Sequence, residues 1–262
     1  MPIVTLTTDW GKNSFYTASL KGQLLRKFPS LTIVDLSHEI EVFNISQASI
    51  LLGKSYLNFP VGTIHIIGVN NELSEPNQFI AVEANGHFFI SFDSGIISLI
   101  CKEQTTKLVM ISMNGKEIIE SFPELEIFSF ATAHLAAGFP IEELGNDVPA
   151  IKKQIALHPS FDQSVIIGHV IFIDSYGNAI SNIARQTFHE VCKNRSYTIF
   201  VQSNKNKISQ ISKNYHEDDI SDADLLAIFN SADMLEIAIF RGSAKDLLGL
   251  TTDSSIRINF HD

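Results

Sequence analysis

Residues 60–83, PVGTIHIIGVNNELSEPNQFIAVE, decide the fold. In the first half, Thr63, Ile64, Ile66, Ile67 and Val69 make a nearly unbroken apolar run, opened by Pro60 and Gly62 and closed by Asn70 and Asn71. Continuous apolar character predicts a strand buried on both faces, as in a parallel sheet covered by helices. Ligands of such sheets sit beyond the carboxyl ends of the strands. Asn70, Asn71, Glu72 and the polar run to Gln78 therefore lie where chemistry is expected.

Upstream, residues 3–8 read as a first strand ending at Asp9-Trp10-Gly11. A helix from Ser14 follows, with Phe15, Ala18, Leu20, Leu24 and Leu25 as its buried stripe. Residues 32–36 form a second strand ending at Ser37-His38-Glu39, and residues 45–57 have helical spacing. Strand, helix, strand, helix, strand is the α/β pattern. Downstream, short β runs at 79–82, 88–92 and 108–111 are separated by turns, of which Asn85-Gly86 is a two-residue hairpin signal. A helix is expected from about Phe128 to Ala137, closed by Gly138-Phe139-Pro140. Residues 145–163 look like a linker, and strands at 165–173, 197–202, 234–240 and 255–260 suggest a small β-barrel or sandwich beyond it. The expected organisation is an N-terminal α/β domain with a mostly parallel sheet over 1–155, and a smaller β-rich, barrel-like C-terminal domain over 164–262.

With 262 residues there is ample chain for a core. A net charge of −10 with no long Lys/Arg cluster makes nucleic acid and anionic membranes poor partners, whereas a cationic small molecule is not repelled. Cys101 and Cys192 lack metal-ligand spacing and fit two buried thiols in a reducing compartment. With no signal peptide and no apolar run of membrane-spanning length, the expectation is a cytoplasmic protein.

Candidate site residues each have a plainer reading beside the chemical one. Asp9 at a strand end can accept the hydroxyls of a ribose, with Gly11 letting backbone approach the ligand, or it can cap a turn. His38 is a base only if unpaired; otherwise it is a hydrogen-bonded structural residue, as His65 inside its apolar strand is expected to be. Asp93-Ser94-Gly95 reads as an ordinary turn as readily as a site. Asp174 can pair with an α-ammonium while Asn178 and nearby backbone hold a carboxylate, or the segment is a Tyr-Gly-Asn turn between strands.

Several of these stretches together resemble the S-adenosylmethionine hydroxide adenosyltransferases, relatives of the fluorinases and chlorinases. Residues 59–69, FPVGTIHIIGV, resemble the family strand FP-x-GT-(V/I)-H; residues 6–22 resemble its TDFG…YVG…MKG opening, matching at Asp9, Gly11, Tyr16, Lys21 and Gly22, with Trp10 for Phe. A second carboxylate common in the family falls at Ser14. Ser37-His38-Glu39-Ile40 resembles (T/S)-H-x-I, and 92–98 resembles x-D-N-G-(L/I)-(L/I) with Ser94 for Asn. Residues 170–183, VIFIDSYGNAISNI, agree at every specified position with (V/I)-x-x-I-D-x-(F/Y)-G-N-x-x-(T/S)-N-I, the most specific match. Residues 230–238 resemble N-S-x-G-x-L-E-I-A, with Asp233 for Gly and Met234 for an aromatic residue.

The resemblance implies a trimer binding an adenosyl ligand between one subunit's first domain and its neighbour's second. Hydroxide would displace methionine from S-adenosylmethionine at the ribose 5′ carbon, with no further cofactor and no metal. It places Asp9, Trp10, Gly11 and Tyr16 at the ribose, Asp174, Tyr176 and Asn178 at the methionine end, and Asn230 and Ser231 at the adenine. The family's Asp, Arg and His that activate water fall at Asn70, Asn77 and Pro123, none of which takes a proton at neutral pH. Glu72 is the nearest replacement base, with Glu124 and Glu126 behind it, and Asn70 and Asn77 complete the expected catalytic set. The alternatives are an adenosyl-binding protein without turnover and another small-molecule enzyme at the same strand ends.

Overall fold

The computed structural model describes residues 1–70, 79–101, 105–113, 115, 118–216 and 224–261. The chain divides into two compact units, Met1–Ala156 and Leu157–Asp262. In unit 1 the elements run β1 (Ile3–Thr8), α1 (Phe15–Lys27), β2 (Thr32–Ser37), α2 (Ile45–Ser55), β3 (Ile64–Gly68), β4 (Phe79–Ala84), β5 (His87–Phe92), α3 (Ile96–Cys101), β6 (Thr105–Ile111), α4 (Glu124–Ala136) and β7 (Gly145–Asp147). One sheet of seven strands has the order β2-β1-β3-β5-β4-β6-β7. The half from β2 to β5 is parallel and the half from β5 to β7 antiparallel.

All five residues of β3 are buried, as its apolar run requires. Alternation sends Val4, Leu6, Ile64 and Ile66 to the face under α1 and α4, while Ile67, Val69, Ile80 and Val82 meet α2 and α3. Register then sets the site. Thr7 pairs with Ser37 and Thr8 with Gly68, so the chain leaves the sheet side by side at Asp9, His38 and Val69. The turn between β4 and β5 is the expected hairpin, with Asn85 at φ 52° and Gly86 at φ 74°.

Two helices differ from the reading of their sequence. In α1 the buried residues are Thr17, Leu20 and Leu24, whereas Phe15 and Leu25 are 69% and 43% exposed. Helix α4 begins at Glu124, with Pro123 in the capping position where a missing N–H costs nothing. Its first-turn acidic residues hide an apolar stripe that becomes legible only from Ile127 onward.

Unit 2 comprises β8 (Ser160–Phe161), β9 (Val165–Ile173), β10 (Ala179–Ala184), α5 (Arg185–Cys192), β11 (Ser196–Val201), β12 (Lys207–Ile208), β13 (Ile211–Ser212), β14 (Leu225–Phe229), β15 (Met234–Ile239), α6 (Ala244–Leu248) and β16 (Ser255–His261). The strand order is β12-β11-β16-β9-β10-β15-β14-β13, with β8 added to β9. Strand β12 returns beside β14, which brings the sheet close to a barrel around Ile166, Val170, Ile199, Ile237 and Ile258. The stretch read as a linker carries β7 and β8. It is also tied to unit 1: the Lys152 amide donates to both oxygens of Asp93 (3.1 and 3.0 Å) and the Gln154 amide to Ser98 Oγ (2.9 Å). Asp93-Ser94-Gly95 is therefore an anchoring turn. Among the described residues, no helix is long and apolar enough to cross a membrane.

A buried polar pair sits inside unit 1. His65 Nδ1 lies 2.7 Å from Thr5 Oγ1, and His65 Nε2 lies 3.2 Å from His87 Nδ1. Burial, reinforced by the neighbouring His87, pushes the His65 pKa from 6.5 down to about 3. Above pH 6.5 the ring is neutral whether the chain is folded or not. Between there and about pH 3 the unfolded chain takes up a proton that the folded one refuses, so stability falls as pH falls. The slope reaches about 1.4 kcal/mol per pH unit. Urea titrations from pH 7.5 to 4.5 should show a steeper loss for the natural protein than for His65→Gln; equal slopes would contradict this.

Candidate functional site

Asp9 follows β1 directly and is half buried. Its Oδ2 accepts the backbone N–H groups of Phe43 (3.0 Å) and Asn70 (3.2 Å), which ties together the segments that follow β1, β2 and β3. Gly11 has φ 84° and donates its N–H to the carbonyl of His38 (2.8 Å). Phe43 and Asn70 are both left-handed, at φ 66° and 54°. For a bulky aromatic residue such a φ is an outlier, and outliers of this kind cluster at ligand sites. The Phe43 ring is 59% exposed.

His38 is held rather than available. Its Nδ1 lies 2.8 Å from Thr8 Oγ1 and its Nε2 3.1 Å from Asp35 Oδ1. Burial opposes ionisation of Asp35, but contacts with Lys21 and His38 outweigh it and keep the carboxyl below its ordinary pKa. The structural reading of His38 thus prevails over that of a free base.

Trp10 packs inward, with its ring 5.1 Å from Phe122 and 6.5 Å from Phe128. Gly68 makes room for it, since a Cβ there would lie 2.5 Å from Trp10 Cζ2. Gly68→Ala should cost about 1–3 kcal/mol through overpacking. An unchanged urea midpoint would show that the indole can move aside. Tyr16 continues the aromatic series toward solvent, 4.7 Å from Phe122 and 4.1 Å from Phe15. The loop after β1 and the start of α1 line a concavity of about 510 Å³ that includes Lys12, Ser14 and Thr17.

Of the expected catalytic set, Asn70 stands beside Asp9, whereas Glu72 and Asn77 lie outside the described residues. Pro123 caps α4, and Glu126 Oε1 accepts a long bond from Gln23 Nε2 (3.4 Å).

In unit 2 the Asp174 carboxylate shapes its own turn. Oδ1 accepts from the amides of Tyr176 and Asn178 (both 2.9 Å), and Oδ2 from Asn178 Nδ2 (3.1 Å). Gly177 needs its φ of 79°, and a Cβ on it would lie 2.1 Å from Ser243 Oγ. Asn178 is buried, whereas Tyr176 is 79% exposed. Asn230 Oδ1 accepts from the amides of Ala232 (3.0 Å) and Met234 (3.2 Å), folding the loop that presents exposed Ser231. Asp233 is left-handed at φ 56°, and its Oδ1 receives Arg185 Nε at 2.7 Å.

The sequence reading gave Glu236, inside the matched stretch 230–238, no role of its own and did not single out Tyr215. Glu236 is almost fully buried, with Oε1 2.5 Å from the Tyr215 hydroxyl and Oε2 3.0 Å from Asn230 Nδ2. Burial, then Glu236, then the charge of Asp174 push the Tyr215 hydroxyl pKa up. Glu236 thus joins Tyr215 to the loop at Asn230. A buried Glu inside an apolar strand was the available signal.

Unit 1 thus carries a carboxylate at its strand ends, and unit 2 carries a carboxylate that shapes its own turn. Residues 4–145 match the SAM hydroxide adenosyltransferase N-terminal domain and residues 168–257 match its C-terminal domain, and the chain belongs to this family. It is 26% identical to an (R)-S-adenosyl-L-methionine hydrolase of Methanocaldococcus jannaschii, over 98% of this chain and 96% of that one. A protein of the same name from Thermus thermophilus is 25% identical over 97% and 98% of the two chains. A crystal structure of a conserved protein from Thermotoga maritima superposes with a TM-score of 0.88 and 26% identity, covering 98% of this chain and 99% of that one.

Proposed function

We propose that the protein is a weak S-adenosylmethionine hydrolase. Water attacks the ribose 5′ carbon in line with the carbon–sulfur bond; a carbon–oxygen bond forms and the electron pair of the breaking bond leaves on sulfur. Adenosine, methionine and a proton result. The sulfonium is already a good leaving group, so the protein's work is to position, desolvate and activate water.

The observation that carries this reading is the Asp9 carboxylate, fixed at a sheet's carboxyl end by two backbone amides in a chain of this family. Asp9 and Gly11 serve the ribose, with Trp10 and Tyr16 forming the aromatic wall behind them. Asp174, Tyr176 and Asn178 serve the methionine end, and the loop of Asn230 and Ser231 the adenine. Glu72 takes the proton of the attacking water, and Asn70 and Asn77 complete the proposed catalytic set. The protein works as a cytoplasmic homotrimer with sites between copies, without cofactor or metal, and takes a small adenosyl ligand rather than nucleic acid or membrane.

Incubation with S-adenosylmethionine, followed by chromatography, should show adenosine and methionine in equal amounts. Undetectable adenosine with S-adenosylmethionine shown bound would favour the second reading, an adenosyl-binding protein, for which Pro123 at the position of the family's His speaks. Light scattering should show three chains per particle; a monomer at micromolar concentration would leave the proposed site incomplete.

A further inference from the structure

Strand β15 alternates between the core of unit 2 and the outer face of its sheet. Leu235, Ile237 and Ile239 belong to the core, so Met234, Glu236 and Ala238 point the other way. The outer face of an antiparallel sheet commonly meets water. Here all six residues of β15 are buried, and Glu236 is 3% exposed. Burying a carboxylate is costly unless its oxygens meet donors. Both do: Oε1 lies 2.5 Å from the Tyr215 hydroxyl and Oε2 3.0 Å from Asn230 Nδ2.

Asn230 opens the turn that joins β14 to β15. Its N–H donates to the Met234 carbonyl and its carbonyl accepts from the Asp233 N–H, each at 3.0 Å. Its side-chain Oδ1 accepts the amides of Ala232 (3.0 Å) and Met234 (3.2 Å). Backbone amides only donate, so the side-chain oxygen must face the turn and the NH₂ must face the strand. There it meets an acceptor, Glu236. The Asn230 amide is thus held at both ends, and the turn it holds carries Ser231 and Asp233 into solvent. Packing alone does not call for a charge at 236. An apolar side chain of similar volume fills a buried ionic position at equal or greater stability. What the acceptor supplies is the orientation of Asn230.

We propose that Glu236 is a positioning residue: through Asn230 it fixes the turn that presents Ser231 to the adenosyl ligand. This inference rests on the adenosyl reading above, which gives the turn to the ligand. It adds a residue that touches no ligand itself.

The test combines urea unfolding with calorimetric titration of S-adenosylmethionine. The proteins are the natural one, Glu236→Leu, Glu236→Gln, Asn230→Ala, and the double variant Asn230→Ala with Glu236→Leu. Leucine removes the acceptor. The urea midpoint should stay close to the natural value, because Tyr215 and Asn230 are partly exposed and can turn to water. Binding should weaken about 3- to 10-fold, the value of one neutral hydrogen bond. Glutamine keeps an oxygen for Asn230 Nδ2, and its NH₂ can donate to Tyr215 once that hydroxyl turns. Glu236→Gln should therefore bind within about 3-fold of the natural protein. Because Glu236 acts through Asn230, the double variant should bind as Asn230→Ala alone does. Natural affinity in Glu236→Leu, or additive losses in the double variant, overturns the assignment. So does a leucine variant that does not fold, which would make the carboxylate structural, or a glutamine variant that binds no better than leucine. A natural protein that binds no S-adenosylmethionine overturns the adenosyl reading itself, and with it the ligand role of the turn.

Discussion

Asp9→Ala should weaken adenosine and S-adenosylmethionine alike, each by about 10- to 100-fold, because a hydrogen bond to a charged group is worth roughly 1.5–3 kcal/mol. The loss has two parts. Oδ1 no longer meets the sugar, and the amides of Phe43 and Asn70 lose the acceptor that aligns the segments after β2 and β3. Asp174→Ala, in the other unit, should weaken S-adenosylmethionine and leave adenosine unchanged, since adenosine has no methionine end to lose. Calorimetry with both ligands separates the two. If both variants bind as the natural protein does, neither carboxylate belongs to the site.

Turnover carries the other large effect. General-base assistance is typically worth about 10²–10⁴-fold, and Glu72→Gln should remove that much of the rate of adenosine formation. Replacing Asn70, Asn77 and Pro123 together by Asp, Arg and His, the residues that the resemblance implies for those positions, should raise the rate. An unchanged rate in Glu72→Gln would keep the hydrolase and remove its base.

Much of the fold was legible because it is written in local patterns. The apolar run at 63–69, the Asn85-Gly86 turn and the mostly apolar run at 165–173 each specify an element from a few neighbouring residues. What was not legible depends on partners distant in sequence. Phe15 and Leu25 fit the helical spacing of α1 and still face solvent, because the contact with α4 covers a narrower stripe. Helix α5 and strand β10 were not separated by any turn residue, since Ala184 passes from strand to helix without Gly, Pro or Asn.

The candidate site divides along the same line. Asp9, Asp174 and Asn178 were visible as residue types at strand ends. That Asp9 would spend one oxygen on Phe43 and Asn70 was not, because those bonds span 34 and 61 residues and form only once the parallel register is set. Nor was the left-handed backbone of Phe43, which no local preference of Phe would suggest. The link of Glu236 to Tyr215 and Asn230 likewise joins separate strands and loops.

Hydrolysis by water at the ribose carbon is tested most directly by running the reaction in ¹⁸O-labelled water and weighing the adenosine formed. Attack at the 5′ carbon predicts adenosine carrying one ¹⁸O in its 5′-hydroxyl, with methionine unlabelled. Unlabelled adenosine, or none from S-adenosylmethionine that calorimetry shows to be bound, would contradict the account.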